Sequence, residues 1–288
     1  MTSARAAPRD SRDPGLAEVR AFWEANPLWT GESAHPPGSR PFFEEHRQVV
    51  IGDCLGGTLD PRTLPAPAHR HRVLDLGCGP GFWSIELGAG GCAGLVSADL
   101  TLNALRLTRA RCAAYGLRSL LTQQNAERLG FPDDAFAHVN CQGVIHHTPD
   151  PEACVQEIAR VLQPGGTASI SVYYRNAFLR FWPALSWLGR LLHAAGARLR
   201  GRGREAIFRL SDADEIVRTF DGAGNPIGRC YSREEFLALL RPHFAVEETF
   251  LHLFPSRTLP FRLPRALHTF LDKHAGFMIY ASLRKVPR

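Results

Sequence analysis

The chain has 288 residues, 44% of them hydrophobic, and a formal charge of +6. That length suits one α/β core with added segments, and the apolar content excludes a wholly disordered chain. Only two of its 34 basic residues, Lys273 and Lys285, are lysines, so the positive charge is an arginine bias that by itself does not argue for nucleic-acid binding.

Seven cysteines, at 54, 78, 92, 112, 141, 154 and 230, make an odd number with no Cys-x-x-Cys pair. This excludes a zinc framework or a disulfide scaffold and suggests a reducing compartment. The first fifteen residues hold no apolar core of the secretory kind, and no run of about 18 apolar residues occurs. The expected location is the cytoplasm. The histidines and acids do not cluster at ligand spacing, so no metal is expected.

Residues 1–15, rich in Ala, Arg, Pro and Asp, read as a disordered tail. Leu16, Val19, Phe22 and Trp23 share one face of a helix over 16–30, and a second helix is expected over 42–55. With a Pro-rich linker, these make an N-terminal helical cap over 16–70. Strands are expected at 72–76, 94–98, 119–123, 137–142 and 167–173, with helices at 81–88, 102–115 and 151–162 between them. That alternation predicts a parallel sheet covered on both faces, with a core over 71–174. The turn Gln163-Pro164-Gly165-Gly166 ends the third of these helices. Residues 178–192 follow helical spacing and are strongly apolar, and 196–204 form a basic, glycine-rich loop that reads as solvated. These fall in a helical insertion over 175–230. Ser232 with Glu235 forms a capping box opening a helix over 232–241, and strands at 244–251 and 277–283 close the C-terminal part, 231–288.

The run Val73-Leu74-Asp75-Leu76-Gly77-Cys78-Gly79-Pro80-Gly81-Phe82 reads as a buried strand, a glycine turn and a helix start. A dinucleotide fingerprint needs glycine at 82, but that position is Phe82 and the third glycine comes one residue early, at Gly81. Asp75 is placed to reach a ligand over the turn. Asp99 ends the second strand, where a carboxylate can accept hydrogen bonds from both ribose hydroxyls of either S-adenosylmethionine (SAM) or NAD. Its competing role is to cap the helix at 102–115.

From 73 to 173 the chain resembles the core of the class I SAM-dependent methyltransferases. The order of Val73–Phe82, Asn125-Ala126-Glu127, Gln142-Gly143-Val144, Ile145-His146-His147-Thr148-Pro149-Asp150 and Leu162–Gly166 is similar to the ubiquinone/menaquinone-type small-molecule group. The resemblance implies a Rossmann-like, mostly parallel sheet of seven strands. The last strand would be antiparallel beside the fifth, and a helical insertion would follow the fifth. It implies SAM as cofactor, with Gly77, Cys78, Gly79 and Gly81 at the methionine part and Asp99 at the ribose. Leu100, Asn125 and Ala126 would lie at the adenine, and Gln142 and Gly143 would face the sulfonium. Asn125 stands where the family commonly has Asp. Phe22, Trp23 and Trp29 are candidates to close over the cofactor, and 175–230 to cover the acceptor.

The expected reaction is O- or C-methylation of a small, apolar or aromatic acceptor. His146 or His147 could serve as base if the acceptor has a proton to lose, against the plainer role of packing the loop. Arg202 or Arg204 could hold an anionic group, and the apolar helix beside the basic loop would suit contact with a membrane surface. A nucleic-acid methyltransferase and a noncatalytic SAM-binding protein are the alternatives. Against the former, the place of an Asn/Asp-Pro-Pro-Tyr/Phe segment holds Gln142-Gly143-Val144-Ile145. The sequence leaves the oligomeric state open.

Overall fold

The computed structural model describes residues 14–286, so nearly all of the expected tail over 1–15 lies outside the described residues. The first helix, α1 (Leu16–Ala25), starts where Glu18 accepts a hydrogen bond from Gly15 N at 2.9 Å. It stops at Asn26, because a residue before proline avoids helical angles. Ser39 caps α2 (Arg40–Gln48), and the expected single helix continues only as a wider π turn over Val49–Cys54. The β-branched run Val49-Val50-Ile51 followed by Gly52 weakens the tighter spiral there.

The core follows as β1 (Val73–Leu76), α3 (Phe82–Ala89), β2 (Val96–Asp99), α4 (Leu102–Tyr115), β3 (Leu120–Gln123), β4 (Phe136–Gln142), α5 (Pro151–Val161) and β5 (Leu162–Tyr174). The insertion contains α6 (Ala177–Ala194), α7 (Ala213–Phe220) and the short β6 (Cys230–Tyr231). The chain then closes with α8 (Arg233–Leu240), β7 (Phe244–His252), α9 (Arg265–Ala275) and β8 (Met278–Lys285). The helix α7, the strand β6 and the helix α9 were not anticipated.

The sheet runs β3-β2-β1-β4-β5-β8-β7, and β6 pairs with the end of β5. The seven-strand path is the expected one, with β8 antiparallel between β5 and β7. The two residues of β6 make an eighth strand. Gln163–Gly166, expected as a turn, is looped out of the β4–β5 ladder: Phe136 pairs with Leu162 and His138 with Thr167. The main core lies between the sheet and α5 with α8, where Val139, Ile158, Ile170, Phe236 and Ile279 are fully buried. The parallel pairing of β1 with β2 and β4 sets their carboxyl ends side by side, and the N-terminal segment and the insertion cover those ends. Among the described residues, no helix is long and apolar enough to cross a membrane.

Candidate functional site

The site begins with the turn after β1. Gly77 N and Cys78 N both donate to Ala98 O, at 2.7 and 3.0 Å, which fastens the turn to β2. Gly77 has φ +71°, and a Cβ there would lie 2.2 Å from Val144 Cγ2, so only glycine lets the turn pass under the end of β4. A Cβ on Gly79 would meet nothing within 4 Å; that residue borders open space. Gly81 is the N-cap of α3.

That open space is a cavity of about 290 Å³. Gly77, Cys78, Gly79, Asp99, Leu100, Asn125, Ala126, Gln142, Gly143 and His147 all line it. Asp99 Oδ2 accepts from Gly79 N at 3.0 Å, and Oδ1 accepts from Thr101 N and Oγ1 at 2.9 and 2.8 Å. Burial pushes its carboxyl above the ordinary range. Asp99 does not cap α4. Glu24 of α1 does so, accepting from Leu102 N at 2.8 Å and Asn103 N at 3.0 Å. One oxygen lone pair of Asn125 is used by Glu127 N at 3.0 Å, which leaves one more on that atom and both N–H groups. Gln142 Nε2 donates to Ser169 Oγ at 2.7 Å, and Gly143 N donates to Ser171 Oγ at 3.1 Å.

Three expected site residues are absent from the cavity wall: Gly81, which packs against Thr108, Asp75 and His146. Asp75 is 1% exposed and lies beneath the turn, with its oxygens accepting from Ser84 Oγ at 2.6 Å and Asn140 Nδ2 at 2.9 Å. A strand residue alternates faces with its neighbours, and Asp75 points into the sheet's packing rather than to the ligand side. Burial raises its carboxyl to about 6. His146 is also sealed, packed against His147 and Tyr173 with ring centroids 4.1 and 4.4 Å away. Its Nδ1 has no hydrogen-bond partner among the described residues, and burial beside His147 and Arg229 holds it well below the usual histidine range.

His147 does face the cavity. Its Nδ1 meets Ile227 O at 2.7 Å and its Nε2 meets Asp221 Oδ2 at 3.1 Å. Tyr173 O–H donates to the same Asp221 oxygen at 2.7 Å. Both Tyr173 and Asp221 also line the cavity. Burial works against the charge on Asp221, yet the hydrogen bond and charge of His147, with the Tyr173 hydroxyl, hold it below the usual carboxylate range. Of this cluster the sequence marks His147 as a candidate base and Asp221 only as the start of a turn-like run, Asp221-Gly222-Ala223-Gly224-Asn225-Pro226.

The basic loop is not solvated, contrary to the expectation. Arg202 donates to Pro27 O, Asn26 O and Asp221 O at 2.7, 3.1 and 2.7 Å. Arg204 is 2% exposed, donates to Phe220 O at 2.8 Å and pairs with Glu32 at 2.7 Å. These guanidiniums saturate main-chain carbonyls at the ends of α1 and α7, where helix carbonyls lack internal partners. They therefore join the N-terminal segment to the insertion over the cavity. Trp23 and Trp29 line it as well, and Phe22 packs edge-on against Trp23 at 5.2 Å. Among the described residues, no group of acids, histidines and cysteines could hold a metal ion.

Residues 73–166 match the family model described as a methyltransferase domain. An uncharacterized protein of Mycobacterium tuberculosis is 34% identical over 121 residues, 42% of this chain and 40% of that one. A ubiquinone biosynthesis O-methyltransferase of Paracidovorax citrulli is 32% identical over 114 residues, 39% of this chain and 48% of that one. The chain thus spans about half, or less, of the curated relatives it matches. Among solved structures, a SAM-dependent methyltransferase of Methanosarcina mazei aligns with TM-score 0.51 at 20% identity, covering 75% of this chain and 93% of that one. The [4+2]-cyclase SpnF aligns with TM-score 0.52 at 16% identity, covering 96% and 97%. Residues 73–166 form a methyltransferase domain, on the fold seen in SAM-dependent methyltransferases, and SAM is the cofactor such domains use. The wall fits that group: a glycine turn open at Gly79, a carboxylate at Asp99 and an amide at Asn125.

Proposed function

We propose that the protein is a SAM-dependent methyltransferase for a small, apolar or aromatic acceptor that gives up a proton, methylated on oxygen or carbon. The observation that carries this reading is Asp221, a carboxylate held by His147 and Tyr173 in the wall of the cavity that the glycine turn also lines. When bound, SAM supplies a methyl group already activated on a positive sulfur. The chain's own residues then have to place the acceptor and take its proton.

Nδ1 of His147 meets Ile227 O and lies 3.5 Å from Asn225 Nδ2, while Nε2 meets Asp221, so the ring is held at both nitrogens by the protein. So held, His147 orients Asp221, and Asp221 is the base. Asp221 takes the acceptor's proton as the acceptor's electron pair bonds to the methyl carbon and the carbon–sulfur bond breaks. A carboxylate so stabilised is a weak base, which suits an acceptor with an acidic hydroxyl or carbon. Positioning supplies the rest of the acceleration.

A second cavity, of about 230 Å³, supports an apolar acceptor. Phe178, Leu185, Val217 and Phe254 line it, and Tyr173, Phe220 and Leu253 border both cavities. We assign 16–70 and 175–230 as the segments that cover the acceptor over a core of 71–174 and 231–288. Exposed Phe181, Trp187 and Leu191 on α6 suit the expected contact with a membrane surface. The relative named for ubiquinone biosynthesis is an O-methyltransferase, which favours oxygen as the acceptor atom. A nucleic-acid acceptor is disfavoured, because Arg202 and Arg204 are spent on internal carbonyls.

The test is methyl transfer to a panel of phenols and enols by wild type and Asp221→Asn, with S-adenosylhomocysteine affinity measured beside it. We expect turnover to fall about 100-fold, the scale of a lost general base, with affinity changed less than about threefold. Unchanged turnover in Asp221→Asn removes Asp221 from the reaction. Absence of S-adenosylhomocysteine binding to wild type removes the whole reading.

A further inference from the structure

Arg111 on α4 is the largest fully buried side chain among the described residues, at 0% exposure. Its Nη1 donates to Pro80 O at 3.3 Å and lies 3.0 Å from His46 Nδ1, and its Nη2 donates to Phe43 O at 3.2 Å. Its Nε is sealed, with no hydrogen-bond partner among the described residues. Among the described residues, no carboxylate forms an ion pair with it; Glu86, whose charge reaches it, is held by Arg47 at 2.6 Å. The rings of Phe43, Phe82 and Tyr115, with centroids 5.2, 5.7 and 5.9 Å away, offer partial compensation. Burial lowers its pKa to about 10, which still leaves it charged at neutral pH. A positive charge is therefore buried directly under the glycine turn with no counter-ion of its own, an arrangement that costs free energy unless something anionic offsets it.

The same guanidinium dictates the state of His46. Arginine only donates, so His46 Nδ1 must accept, and the ring proton sits on Nε2. Burial and the charges of Arg111 and Arg257 keep this ring neutral. Its orientation is locked by Trp29, stacked at 5.2 Å, and by Phe82, edge-on at 5.9 Å. His46 lines the cavity, and its Nε2 is not sealed and makes no hydrogen bond among the described residues. Arg257 stands on the same wall over the Trp29 ring at 5.2 Å, bonded to Glu32, whose charge Arg204 already meets. At this end of the cavity Arg204 and Arg257 share the acid Glu32, and His46, with Arg111 behind it, adds a fixed N–H donor.

We propose that His46 Nε2–H, backed by Arg111, is a carboxylate-binding subsite, and that it holds the α-carboxylate of the methionine part of SAM. This rests on the methyltransferase reading above. The turn binds the methionine part in that reading, and Arg111 is bonded to Pro80 within the turn, so the donor and the charge lie where that carboxylate must be met. Nothing in the sequence around His46 or Arg111 marks either residue, because 65 positions separate them and only packing of α2 on α4 joins them.

The test uses the full chain and calorimetric titration with two probes: S-adenosylhomocysteine and its decarboxylated analogue, which lacks only the carboxylate. Wild type should prefer the former by about tenfold or more, the worth of a charge-assisted hydrogen bond. His46→Phe, which keeps an aromatic ring between Trp29 and Phe82, should erase that preference while binding the analogue as wild type does. His46→Gln, which restores an N–H donor, should recover part of it. Equal weakening of both probes by His46→Phe, or an unchanged preference, overturns the subsite. Wild type that binds neither probe overturns the methyltransferase reading and this inference with it.

Discussion

Asp75 lies one residue before the end of β1 and Asp99 ends the adjacent β2, and burial pushes both carboxyls up, yet they play different parts. Asp99 keeps one side on the cavity while bridging the glycine turn to Thr101. Asp75 is enclosed by Ser84 and Asn140, with a pKa of about 6 against an ordinary 3.8. The folded state thus favours its protonated form. The stability this contributes is fully present below pH 4 and is lost as pH rises through about 6, in total at most about 3 kcal/mol. Thermal melts of wild type and Asp75→Asn from pH 4 to 7.5 should show wild type losing stability relative to the variant, which cannot ionise. A constant difference across that range would show that Asp75 titrates alike in both states.

At the scale of elements, the cavity depends on parts distant in sequence being fastened together. Glu24 reaches from α1 to the first N–H groups of α4, the end of a helix that favours a negative charge. Glu24→Ala should cost about 1 kcal/mol, the usual worth of a lost helix cap. It should also speed proteolysis within 14–40 by loosening α1. If melting temperature and cleavage rate both match wild type, Glu24 does not fasten the segment. On the other side, Glu32 joins Arg204 of the insertion to Arg257 ahead of α9, with little of the acid exposed. Removing Arg204 alone should cost about 3–5 kcal/mol, because Glu32 loses its closer partner inside the protein. The double variant Glu32→Gln with Arg204→Met should cost less than the sum of the singles in denaturant melts. Strict additivity would mean that the pair does not interact.

For the whole molecule, the cover and the core meet at the cavity wall and at contacts beyond it, among them Arg47 with Glu86, Arg62 with Glu248 and the pairing of β6 with β5. A ligand that touches both should therefore stabilise the chain as one unit. At a concentration about a hundred times its dissociation constant, S-adenosylhomocysteine should add about 2.7 kcal/mol, or a rise of about 5 °C in melting temperature for a chain of this size. A single, shifted transition is expected. Two transitions, of which only one moves, would mean that the cover and core unfold independently.

Periodicity and turn chemistry made the core legible: alternating strands and helices from 73 to 173, the glycine turn, Asp99, and the capping box at Ser232 and Glu235 are local features that a chain carries in its own order. The placement of β8 antiparallel between β5 and β7 came with the family resemblance. Two-residue β6 was too short to leave a pattern. The basic loop misled because charge patterning reports composition, whereas burial depends on partners, here the carbonyls that end α1 and α7. The adjacent residues His146 and His147 could not be told apart by spacing; the fold seals one and opens the other to Asp221, 74 positions away. So the sequence by itself determined the cofactor-binding frame, since that frame is built from consecutive strand, turn and helix. Only the tertiary structure decided which polar groups meet across the cavity, because His46 with Arg111, and Tyr173 with His147 and Asp221, come together through packing between segments that share no local pattern.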